Sequence, residues 1–232
     1  VLILGSFGVL FSAGHSVAPR PITVTWYKPF TGNGFDAYSV SQTSGYYTAG
    51  HDTPVWVDLN QGYFTSRVYC TAGQANGYPG SVRVSGPVGI LGPTFREGLT
   101  VTNCFIYYQW QVWYFYERGT VSQPAPSNEL YTWILLHGNL RDVTTGTMVM
   151  PSDAQVTVDS RTCMSPSSPL NFASSSHTYY TVSFQCTLIG GHTYQMYTHL
   201  QPEIYAKSPG GGLVSGEAYF SAYLIYMQAV HF

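Results

Sequence analysis

A chain of 232 residues, 44% of them hydrophobic, holds apolar material for one large domain or two small ones. That excludes a disordered segment and a multi-span membrane protein. Only 9% of the residues are charged, where a soluble domain carries roughly 25%. The net charge of -2, with lysine only at Lys28 and Lys207, excludes the basic field on which nucleic-acid binding rests.

Val1–Pro19 contains no Lys, Arg, Asp or Glu. As a strand it alternates, with Val1, Ile3, Phe7, Val9 and Phe11 on one face. Ser6, Gly8, Ser12, Gly14 and Ser16 lie on the other, interrupted by Leu2, Leu4 and Leu10. As a membrane helix it would span about 28 Å, weakened by Gly5, Gly8 and Gly14. As a secretory signal it lacks a basic n-region. Ala18-Pro19-Arg20-Pro21 then reads as a linker.

From Ile22 the pattern is β. Ile22, Val24 and Trp26 alternate with Thr23, Thr25 and Tyr27, and short runs follow at Pro54–Leu59, Tyr63–Cys70 and Ser81–Ser85. The longest run is Leu99–Glu117. Its core face is expected to carry Ile106, Tyr108, Trp110, Val112, Tyr114 and Tyr116, and its partly solvated face Gln109, Gln111 and Glu117. Thr120–Ser127 is the best internal linker, so two lobes split near 120–128 are the alternative to a single unit. Leu130–His137, a Gly138-Asn139 turn, Thr144–Met150 and Gln155–Val158 follow, then a Ser/Pro loop.

The last quarter alternates most clearly. Tyr180, Val182, Phe184, Cys186 and Leu188 face one way; beyond Gly190-Gly191, Tyr194, Met196, Leu200 and Ile204 oppose Gln195, His199, Gln201 and Glu203. Ala218–Phe232 closes the chain as an apolar strand. The expected fold is therefore all-β, an antiparallel β-sandwich of jelly-roll or Greek-key type over residues 20–232, with residues 1–19 as an extended N-terminal strand.

Leu188-Ile189-Gly190-Gly191-His192-Thr193-Tyr194 resembles the tyrosine-corner segment of immunoglobulin-like and fibronectin-III sandwiches. The resemblance implies that Gly191 lets the chain cross between sheets while the Tyr194 hydroxyl ties back to the arch, with Leu188 packed beneath.

Four cysteines, Cys70, Cys104, Cys163 and Cys186, show no C-x-x-C spacing. On β elements of an exported protein they are expected to form two disulfides, Cys70 with Cys104 and Cys163 with Cys186; four buried free thiols are the alternative.

Little else points to chemistry. Glu117 and Glu217 are the best strand-borne carboxylate pair, yet nothing in their spacing joins them. The seven histidines form no H-x-H or H-x-x-x-H pair, so no metal site is expected, and no cofactor motif occurs. Tyr107, Trp113 and Phe115 share the more polar face of the long run and form a candidate sugar platform. No Asn-X-Ser/Thr triplet occurs.

An apolar alternating segment tethered by a Pro-containing linker suits strand addition to a neighbouring sheet. With a β-sandwich and a charge-poor surface, the layout resembles the donor-strand-complemented pilus subunits of extracellular threads and bundling pili of archaea. The resemblance implies a secreted, non-enzymatic subunit in adhesion or biofilm formation. Its partners would be copies of itself, joined head-to-tail, with surface or glycan contacts and no membrane span in the mature form. The donor residues would be Ile3, Gly5, Phe7, Val9 and Phe11. Two other classes fit the same features: a secreted carbohydrate-binding module, and a virion coat or surface-layer protein.

Overall fold

Period-two alternation becomes strand almost wherever the sequence carries it. The computed structural model describes residues 22–42, 45–51, 57–74, 79–98, 100–123, 128–209 and 211–232. The donor residues Ile3, Gly5, Phe7, Val9 and Phe11 lie outside the described residues.

In chain order the first strands are β1 (Ile22–Tyr27), β2 (Asn33–Asp36), β3 (Ser39–Gln42), β4 (Tyr46–His51), β5 (Val57–Asp58), β6 (Tyr63–Gly73), β7 (Gly80–Ser85) and β8 (Val88–Arg96). Then come β9 (Thr102–Val121), β10 (Glu129–Asp142), β11 (Thr147–Met148), β12 (Ala154–Cys163), β13 (Leu170–Ser174), β14 (Tyr179–Leu188), β15 (Thr193–Ser208) and β16 (Leu213–His231). They form two antiparallel sheets packed face to face, an open β-sandwich.

The first sheet is built on β9 and β16; β13 and β14 flank β9, β1 and β6 flank β16, and β4 and β5 lie outside β6. The second is built on β10 and β15; β11 and β12 flank β10, β7 and β8 flank β15, and β3 and β2 lie outside those. Between the sheets Ile106, Trp110, Phe220 and Leu224 meet Ile134, Leu136, Met196 and Leu200, all fully buried. β9 and β10, either side of the 120–128 stretch, face each other across this one core.

Buried polar handles also bridge the sheets. The Tyr108 hydroxyl donates to the Asn139 carbonyl and accepts from Tyr197 N–H at 3.2 Å. Trp110 Nε1 donates to Thr198 Oγ1 at 3.2 Å, which donates in turn to the His137 carbonyl at 2.5 Å. Each large aromatic thus satisfies its polar atom inside the core.

Three expectations are corrected. First, the faces of β9 exchange. Ser221 pairs with Tyr114 but Ala222 pairs with Val112, so Trp113 is an extra residue, a β-bulge. Beyond it Phe115 and Glu117 turn into the core, and Tyr114 and Tyr116 turn out. Second, Gly138-Asn139 is no turn, since β10 runs through it. A Cβ on Gly138 would meet the Tyr108 ring at 2.5 Å, so the glycine serves close approach between the sheets. Third, all four cysteines are free thiols. Cys70 pairs with Gly216 and Cys104 with His231, near opposite ends of β16 and about 50 Å apart along it. Cys163 pairs with Leu130 at the far end of the other sheet, while Cys186 lies directly opposite Cys104. Neither expected pair comes within disulfide reach.

Burial pushes the Cys70 and Cys104 thiols up to about 12 and Cys186 up to about 11. Thiols so far above neutral pH hold almost no thiolate. The unreduced chain, once denatured, is therefore expected to take up four alkyl groups by intact mass, while the native chain labels slowly at Cys70, Cys104 and Cys186. Two or more groups missing from the denatured, unreduced protein would contradict the free-thiol structure.

Where β14 crosses to β15, the Tyr194 hydroxyl accepts from Ile189 N–H at 2.7 Å, and Gly191 has φ +79°. Tyr194 and Leu188 are buried. Tyr194→Phe strands that amide and should cost about 1 kcal/mol in urea unfolding. Gly191→Val should cost roughly 1 kcal/mol or more through backbone strain. Unfolding midpoints like those of the unsubstituted chain would show that the arch is not held this way.

Candidate functional site

The tyrosine corner forms one end of the sandwich, and that end is open. Glu97 N–H donates to the His192 carbonyl at 2.9 Å, and Gly191 N–H to the Gly98 carbonyl at 2.5 Å. Arg96 Nε donates to the Gly191 carbonyl at 3.3 Å. These bonds fasten the end of β8 to the arch.

β1 enters at the same end, opposite Gln228–His231 of β16. Among the described residues β1 pairs only with β16, and β8 beyond Leu91 only with β15. Among the described residues both sheets therefore present an unpaired edge on the same side. Between the edges lies a cleft of about 500 Å³, whose floor includes Ile22, Val24, Phe95, His231 and Phe232.

A second bulge shapes this floor. Gln195 pairs with Thr94 but Tyr197 pairs with Leu91, and the shift turns Phe95 inward. Its ring meets Trp26 at 5.6 Å, Tyr194 at 5.8 Å and His231 at 5.8 Å. His231 Nδ1 stands 3.0 Å from Glu97 Oε2 at the rim. Ile22 is 68% exposed, Phe232 58%, Val101 68% and Ile189 51%, so the end carries a group of large apolar side chains facing outward. Such a patch marks an interaction site more often than a free surface. Free backbone edges beside an apolar floor can take an added strand: the edge supplies sheet hydrogen bonds and the floor receives alternate side chains.

The sugar platform is dispersed. Phe115 lies in the core, Tyr107 is half-buried, and Trp113 is exposed with His177 packed 4.1 Å from its ring centre. The outer face of the first sheet carries a different aromatic field, Tyr63–Tyr223–Trp113 and Tyr114–Tyr219–Tyr116, with centroids 4.8–6.1 Å apart.

Glu117 and Glu217 do not converge. Glu217, on the outer face, accepts from Arg67 Nε at 2.5 Å and from the Tyr116 hydroxyl. Glu117 is fully buried with Arg161 Nε 3.9 Å away.

Register brings together three residues that sequence spacing does not connect. His137 on β10 stands opposite His199 on β15, the rings stacked at 4.5 Å and 9°. Asp153, just before β12, reaches them over the outer face of the second sheet. One ligand atom from each of His137, Asp153 and His199 lies within 4.8 Å of the others. These could hold a metal ion. Nothing in the sequence singled out the pair, because His137 and His199 become neighbours only through the pairing of β10 with β15. Val88–Arg96, whose end Phe95–Arg96 lines the cleft, was likewise hidden by its Gly and Pro residues, although Val88, Ile90 and Phe95 carry strand character.

No family model matches the chain, and no curated protein matches it. Among solved structures, the enzymatically active domain of bacteriophage CBA120 tailspike protein 4 aligns at 11% identity with TM-score 0.21, over 82% of this chain and 19% of that one. A mutant VP2 protein of infectious bursal disease virus, in derived T=1 particles, aligns at 10% identity with TM-score 0.20, over 97% of this chain and 44% of that one. The chain thus spans about a fifth and under half of their lengths, and likenesses this weak carry no argument about fold or role.

Burial, with Asp159 alongside, pushes the Glu117 carboxyl up to about 7, against the opposing pull of Thr132 and Arg161. Its folded value lies above its unfolded value, so the stability it contributes is full below about pH 4.5 and is lost as pH rises through about 7. Glu117→Gln should therefore be more stable than the unsubstituted chain at pH 8 and nearly equal to it at pH 4.5 in denaturant titrations. A variant weaker at pH 8 would mean that Glu117 works as the charged partner of Arg161.

Proposed function

We propose that the chain is a structural subunit of an extracellular filament, polymerising head-to-tail as the N-terminal segment of one copy enters the open-end cleft of the next. The observation that supports this reading is the largely apolar cleft between two sheet edges that no described strand covers. The same chain supplies a segment of matching chemistry, uncharged and alternating, with Ile3, Phe7, Val9 and Phe11 on one face. At about 3.3 Å per residue Val1–Phe11 extends about 36 Å, enough to run along β1 and beyond. Burying those four side chains contributes on the order of 6–12 kcal/mol before ordering costs. The contact is heterologous and does not close, so it makes fibres and not rings. With the thiols free, an exported location rests on the scarcity of charge alone.

A second reading, a coat or surface-layer subunit, draws on the outward aromatic field of the first sheet, which suits side-by-side contacts. Electron microscopy of native material separates the two: fibres one subunit wide against shells or lattices.

Removing residues 1–18 should yield a monomer that accepts the free 1–18 peptide in trans. Ile22→Asp, at an exposed position on the cleft floor, should keep the fold by circular dichroism and abolish elongation. Phe7→Asp should do the same from the donor side. Normal fibres from the truncated chain would overturn strand donation.

A further inference from the structure

The outer face of the second sheet holds a buried polar group that the assembly reading does not use. We propose that His137, Asp153 and His199 form a binding site for one first-row transition dication, of which Zn²⁺ is the natural probe.

The first support is unsatisfied chemistry. His137 is 9% exposed and His199 4%, yet His137 Nε2 and His199 Nδ1 are both buried with no hydrogen-bond partner. A buried lone pair or N–H without a partner is costly, and native structures rarely keep two side by side. A metal ion would satisfy both once the rings, parallel at 9°, rotate so that these two nitrogens converge.

The second support is a rigid frame. His137 and His199 sit on the two central strands, paired in register. The His137 carbonyl is held from within by Thr198 Oγ1, itself held by Trp110. Asp153 is positioned by Asn139, whose Nδ2 donates to Asp153 Oδ1 at 2.8 Å. The same Asn139 side chain donates to the Met150 carbonyl and accepts from Met150 N–H, both at 3.2 Å, clamping the segment that carries Asp153. Phe35 and Tyr197 wall the His199 side, with centroids at 6.1 and 5.4 Å.

The third is the donor set. Two imidazoles and a carboxylate suit zinc, copper, nickel or iron and not calcium or magnesium. Ligand atoms around zinc stand about 3.3 Å apart, so the 4.8 Å cluster must close by roughly 1.5 Å. Side-chain rotation of the two histidines, and of Asp153 about its Asn139 hydrogen bond, would supply that. Three protein ligands leave a fourth position for water or another donor. The ion would tie the 149–153 segment to both central strands, adding a cross-link on a face where few charges act.

The test uses the full chain, stripped with a chelator and titrated with Zn²⁺ by calorimetry and thermal melting. One Zn²⁺ per chain and a melting temperature that rises with Zn²⁺ are expected. Co²⁺ in its place should give the visible absorption of a low-symmetry N/O site. Asp153→Asn, half-buried and near in shape, keeps the fold; His137→Gln tests a second ligand. Each should weaken Zn²⁺ binding by about 10-fold or more. Absence of saturable binding, or binding that survives both substitutions, would overturn the site; survival would put the ion on other histidines such as His177 or His192.

Discussion

Register across four long strands is the constraint from which the rest of this molecule follows. β9 and β16 pair along most of their length, and β10 pairs with β15 without a shift over its whole length. In a sheet with one buried face, a slip of one residue would turn every core side chain outward and every polar one inward. Tyr108 and Trp110 reinforce the choice, because their hydrogen bonds between sheets exist in one register only. The same register stacks His137 on His199 and seats β1 against the end of β16.

Two departures from regular pairing decide which side chains reach the core and the cleft. The bulge at Trp113 turns a carboxylate, Glu117, into the core and sends Tyr114 and Tyr116 to the outer aromatic field. The bulge opposite Gln195–Tyr197 turns Phe95 into the cleft. Each inserts a single step into a long alternation, and each re-aims every side chain beyond it. The two proposed sites depend on different consequences of this geometry: the cleft on edges left unpaired, the histidine cluster on strands paired without error.

Scarcity of charge fits both. Few ion pairs occur among the described residues, and several are single links across neighbouring strands, as Arg67–Glu217 and Arg83–Glu203 are. Cohesion rests on apolar burial, on aromatic contacts and on backbone pairing. A surface held apart by so little charge associates readily, which is an advantage for a subunit and a liability for a solitary soluble protein.

The sequence by itself determined the class of fold and the inward face of most strands. Alternation is local: Tyr180–Leu188 and Tyr194–Ile204 state their faces within a few residues, and Leu188, Gly191 and Tyr194 state the arch. It did not reveal which strands adjoin. Cysteines that looked pairable along the chain lie at opposite ends of the sandwich, and Gly138 looked like a turn because the Tyr108 ring that needs its missing side chain is distant in sequence. A bulge is one extra residue with no compositional mark, so the exchange of faces after Trp113 stayed hidden. The open cleft and the His137–Asp153–His199 cluster belong to the tertiary structure alone, because which strands pair and which edges stay open is decided between segments far apart in the chain, and local periodicity carries no information about partners.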